Sequence, residues 1–84
     1  MIVRLTLATV LLAAAAPPPG ASSCSGCHGG ALPVLASRPA AETAATLDAF
    51  RTGIRPATVM NRIAKGFTPA ESQAIAAWWA EKAP

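Results

Sequence analysis

The 84-residue sequence predicts a small all-α domain, on three observations. Residues 40–53 and 67–82 carry apolar side chains at helical spacing, each with a start or stop residue at its end. A third stretch, 55–66, opens near a proline and closes on a glycine, room enough for a short helix. No segment alternates apolar and polar residues for long enough to make a strand, and there are no internal repeats.

Taken in order, "MIVRLTLATVLLAAAA" (1–16) has the form of a secretory leader: Arg4, then twelve uncharged residues from Leu5 to Ala16, then small residues suited to cleavage. As a helix those twelve span about 18 Å, too short for a hydrocarbon core of about 30 Å, so no stable membrane span is expected after cleavage. A lipid anchor on Cys24 is disfavoured, because "ASS" precedes it and the leader core lies far upstream. Cleavage is expected between Ala16 and Ser22, giving a signal and linker over 1–21 and a domain over 22–84. The product is expected in the periplasm.

"PPPGASS" (17–23) reads as a proline-rich linker without helical tendency. "GGALPVLASRP" (29–39) reads as an irregular loop with Leu32 and Leu35 buried. In "AAETAATLDAFRTG" (40–53), Thr43, Leu47 and Phe50 follow spacings of four and three, and Gly53 is placed to stop the helix. In "RPATVMNRIAKG" (55–66), Val59 and Ile63 fall on one side. "FTPAESQAIAAWWAEK" (67–82) begins most clearly: Thr68 at the N-cap, Pro69 at the first helical position, Glu71 completing a T-x-x-E capping box. Ile75, Trp78 and Trp79 form its apolar stripe, with Trp78 expected against the segment that carries the cysteines.

Composition narrows the function. Without Arg4 the chain has six Lys+Arg against four Asp+Glu, formally +2, with no basic stripe of the kind that binds nucleic acid. At roughly 60 residues after cleavage, a domain buries only about 60% of its unfolded surface and usually needs a staple, metal or cofactor. With two Phe, two Trp and no Tyr, the side chains alone make a thin core.

The only cysteines, Cys24 and Cys27, and the only histidine, His28, fall in "CSGCH". This is C-x-x-C-H, the pattern that attaches haem c. Two thiols three residues apart on one helical turn reach the two vinyl groups of one porphyrin, and the next residue offers an imidazole to the iron. Ser25 and Gly26 are small enough for close backbone approach. The alternatives fit less well. A closed zinc site needs four ligands, a thioredoxin-like pair needs a βαβ setting, and a disulfide across two residues closes a loop too small to stabilise much.

For a sixth ligand the chain has one methionine beyond the initiator, Met60, with Asn61 and Lys65 as remote substitutes. Small c-type cytochromes place their axial methionine between C-terminal helical segments, as here. A thioether raises the potential and closes the iron to small ligands, which suits an electron carrier better than an enzyme acting at the metal.

"FRTGIRPATVMNRIAKGFTPAESQAIAAWWA", above all "VMNRIAKGF", resembles the C-terminal part of the haem domains in the cytochrome subunit of flavocytochrome c sulfide dehydrogenase. "CSGCHG" and Pro33 add to the likeness, which covers about residues 24–80. The resemblance implies a class I cytochrome c fold around one covalent haem c, with His28 and Met60 as axial ligands. It also implies an FAD-binding partner subunit that oxidises sulfide, this chain being the electron-transfer subunit and not the catalytic one. Within that resemblance the Pro33 carbonyl is expected to accept from Nδ1 of His28. Known members carry two haem domains and this chain has one, with a tight loop after His28, so other redox proteins stand as alternative partners. Arg51, Arg55, Arg62 and Lys65 around Met60 read as a solvated face, with the steering of an acidic partner as the alternative.

Overall fold

A computed structural model describes residues 16–30 and 32–83, and these form an all-α fold with no strand among the described residues. Most of the leader lies outside the described residues. The elements are α1 (Ala21–His28), α2 (Ala40–Thr52), α3 (Met60–Ala64) and α4 (Pro69–Ala80). Helix α2 packs on α3 and α4, and α1 meets α4.

Helix α1 begins inside the segment expected to be an extended linker. Nothing in "ASSCSGCH" favours a helix strongly, and no side chain caps it. Tertiary contacts hold it instead. Ala21 is fully buried, and its carbonyl accepts a hydrogen bond from the Trp79 indole Nε1–H at 3.2 Å. Gly20 precedes it at φ 88°, a left-handed conformation in which a Cβ would overlap the Phe67 ring. Gly20 and Ala21, within the stretch expected to be linker, therefore pack with the core.

Helices α2 and α4 follow their sequence signals closely. In α2, Thr43 and Leu47 are buried, and Gly53 at φ 82° donates its N–H to the Phe50 carbonyl, ending the helix in the left-handed conformation. In α4, Thr68 Oγ1 accepts from the Glu71 amide at 3.2 Å, and Glu71 Oε1 accepts from the Thr68 amide at 2.9 Å. Both halves of the capping box are present. The polar tie from α4 to α1 comes from Trp79; Trp78 is half-buried with Lys82 over its ring.

Helix α3 is shorter than 55–66 suggests. Only Met60–Ala64 is helical, after an irregular approach through Pro56. Val59 and Ile63 do share a side, but both are exposed, as is Leu32, which the sequence placed inside.

The core is thin. Its buried apolar residues are Ala21, Leu47, Ala64, Ile75 and Ala76, and Ile75 is the one large side chain fully enclosed among the described residues. Cys24, Met60, Phe67, Trp78 and Trp79 are half-buried around the cluster of Ala21, Leu47 and Ile75.

Candidate functional site

Cys24, Cys27 and His28 all lie on the second half of α1, so one helical turn presents both thiols and the imidazole. The thiols are not equivalent. Cys24 is half-buried against the core and points its Sγ at the Gly20 carbonyl, 3.6 Å away; Cys27 is exposed. Burial pushes the Cys24 thiol up, with hydrogen bonding from the Trp79 side acting the other way. Neither cysteine is bonded to the other. No three His, Cys, Asp or Glu side chains converge as a metal cage among the described residues.

His28 is held by the loop that follows it. Its Nδ1 lies 2.9 Å from the Pro33 carbonyl oxygen. A carbonyl oxygen can only accept, so Nδ1 carries the hydrogen and the lone pair available to a metal is on Nε2. The loop is anchored in turn, because the Ser37 amide donates to the Trp79 carbonyl at 3.1 Å and the Arg38 Nε–H donates to the Val34 carbonyl at 2.7 Å. Backbone carbonyls, one of them reached by the Arg38 side chain, thus tie the loop that holds the histidine ring to itself and to α4.

Met60 opens α3 and is half-buried against the same apolar cluster that packs Cys24. The structure thereby brings the Met60 segment and the cysteine helix to one core, although they are far apart in sequence. Next to Met60, the Asn61 Oδ1 is buried without a hydrogen-bond partner, the one side-chain polar atom in that condition among the described residues. An unpartnered buried amide is costly, about 1–3 kcal/mol, and calls for a partner of some kind.

A haem c fits these residues. The donor set is the right one: two thiols on one turn, an imidazole with Nε2 free, and a thioether. The thin core suits a chain whose apolar bulk is completed by a large flat group. Leu32 and Val34, about half exposed on either side of Pro33, suit the same group. The sequence singled out Cys24, Cys27, His28, Met60 and Pro33, whereas Asn61 entered only as a remote ligand, and the roles of Gly20 and Trp79 went unread. No periodic signal marks Gly20 or Asn61, and the apolar stripe that holds Trp79 does not show its hydrogen bond to Ala21, because each depends on what lies opposite.

No helix among the described residues is long and apolar enough to cross a membrane. No protein-family model, curated protein or solved structure matches the chain.

Proposed function

We propose that this chain is a periplasmic, single-haem c-type cytochrome that transfers electrons. Cys24 and Cys27 would hold the porphyrin by adding their S–H bonds across its two vinyl groups, an addition that needs no oxidant. His28, through Nε2, and Met60, through sulfur, would hold the iron. When bound, the group supplies a one-electron Fe(III)/Fe(II) couple. The chain's own residues do the rest. Pro33 orients the imidazole and strengthens its donation, Met60 favours the reduced state, and the packing of α1 on α4 keeps the cysteine turn in place.

One observation carries this reading: in a C-x-x-C-H helix, the histidine has Nδ1 committed to a backbone carbonyl and Nε2 left for a metal. The resemblance to the cytochrome subunit of flavocytochrome c sulfide dehydrogenase suggests the donor, an FAD-binding subunit that oxidises sulfide. A free soluble carrier serving other redox enzymes is the second reading.

The test is production in a host that matures c-type cytochromes, followed by intact mass under denaturing conditions. The expected mass is that of the peptide plus one haem, retained after denaturation and lost in the Cys24→Ala/Cys27→Ala double variant. A colourless product with the bare peptide mass would overturn the proposal. Co-purification from the native host with FAD detection then separates subunit from free carrier.

A further inference from the structure

Ser37 is the one non-glycine residue with a positive φ among the described residues, at 62°. An L side chain is disfavoured in that conformation, yet the position holds neither glycine nor asparagine. Ser37 is exposed, so burial of its side chain does not hold it there. What the conformation achieves is a direction. It aims the Ser37 amide at the Trp79 carbonyl in the last turn of α4, 3.1 Å away. Backbone strain persists only where surrounding contacts over-determine it, and here those contacts lead to the histidine.

Trp79 holds two segments at once. Its carbonyl takes the loop through Ser37, and its indole takes α1 through the Ala21 carbonyl. His28 ends α1, and Pro33, whose carbonyl accepts from its ring, belongs to the loop. The imidazole and its acceptor therefore hang from the same residue of α4. Arg38 braces the loop beside this tie. Its Nε–H donates to the Val34 carbonyl at 2.7 Å, and its guanidinium pairs with Glu42 of α2 at 3.5 Å. The Pro33 segment is thus fastened to α4 by Ser37 and to α2 by Arg38.

We propose that Ser37 is a positioning residue for His28, its left-handed backbone clamping the 33–38 loop to Trp79 so that the Pro33 carbonyl stays on Nδ1. The strain makes residue 37 the control point of the clamp. A glycine, at ease in this conformation, tightens it, and a β-branched side chain opens it. That the clamp also tunes donation to iron rests on the proposed function; the clamp itself does not.

The experiment follows solvent exchange of the His28 Nδ1–H and of the Ser37 amide by NMR of the purified, reduced protein. Ser37→Val should speed exchange of the ring hydrogen about tenfold, and Ser37→Gly should slow it about threefold. The Ser37 amide should change in step, because one local opening exposes both. Thr68→Ala, which weakens α4 at its other end, should leave both rates nearly unchanged. The midpoint potential should rise in Ser37→Val and stay in place in Thr68→Ala. If Ser37→Val fails to fold, Ser37→Gly decides, through slower exchange and a lower potential. The proposal is overturned by rates that ignore both substitutions, by a ring hydrogen and an amide that exchange independently, or by an equal response to Thr68→Ala. A potential that does not separate the Ser37 variants from Thr68→Ala would overturn it equally. In a haem-free product the fraction of neutral His28 in the Nδ1–H tautomer replaces the potential, and it should fall in Ser37→Val. Such a product would refute the proposed function and leave the clamp testable.

Discussion

The Nδ1 of His28 and the carbonyl oxygen of Pro33 lie 2.9 Å apart, in a loop whose far end is tied to the last helix through Ser37 and Trp79. The pair sets the tautomer of the ring and aims it. It also makes Pro33 a residue that acts through its backbone, so that side-chain substitution tests the rigidity of the acceptor and not its presence.

Pro33→Ala keeps the carbonyl but frees the local backbone. In the haem-loaded protein a looser Nδ1–H···O bond weakens imidazole donation, which stabilises the oxidised iron less, so the midpoint potential should rise. An unchanged potential by redox titration would separate this hydrogen bond from the metal. His28→Ala should go further and abolish the low-spin spectrum.

Met60→Ala removes the soft ligand. The weak far-red charge-transfer band of the ferric protein should disappear, the potential should fall, and the reduced protein should take up carbon monoxide quickly. A wild-type protein that already lacks the band and binds carbon monoxide would place Met60 off the iron.

Two glycines share the left-handed conformation but differ in surroundings, and this gives an ordered prediction. At Gly53 an added Cβ meets nothing within 4 Å, whereas at Gly20 it runs into Phe67. Gly53→Ala should cost about 1 kcal/mol of stability, and Gly20→Ala about 2–4 kcal/mol from strain plus overlap. Equal losses in denaturant titrations would mean that residue 20 does not pack on Phe67.

The indole of Trp79 donates to Ala21, and Trp78 makes no such bond among the described residues. Trp79→Phe should therefore lose about 1 kcal/mol more than Trp78→Phe. The reverse order by thermal melts would shift the α1–α4 tie to Trp78, where the apolar stripe alone had placed it.

The capping box predicts both a stability loss and a pH effect. Thr68→Ala should cost about 1 kcal/mol. Hydrogen bonds from Thr68 hold the Glu71 carboxyl below its ordinary value. Because the folded value is the lower one, the contribution is present at neutral pH and is lost as the pH falls from the ordinary glutamate range through the folded value. Acid titration of Glu71→Ala should show a shallower loss of stability over that interval than the parent; identical curves would take Glu71 out of the cap.

How far each feature could be read in advance follows from how local its cause is. The start of α4 was legible because Thr68, Pro69 and Glu71 interact within one turn, and the end of α2 because Gly53 alone supplies the conformation required. Thr43 and Leu47 showed themselves by spacing. The cysteine turn was legible as chemistry, since C-x-x-C-H states its own donor set, and the Pro33 contact was expected through resemblance. The first turn of α1 could not be seen: Ala, Ser and Ser carry no helical signal, and what holds them is Trp79, 58 positions away. Leu32 was misplaced for a related reason, because an apolar side chain in a loop says nothing about which way the loop faces.

By itself, then, the sequence determined the all-α class, the two long helices with their ends, and the residues proposed to carry the chemistry, all through interactions spanning a few positions. Tertiary structure alone decided that Ala21 packs into the core, which tryptophan clasps the cysteine helix, which apolar residues stay in water, and that Met60 and Cys24 meet at one core. These depend on contacts between segments distant in the chain, and burial is a property of what lies across the gap, which local composition does not contain.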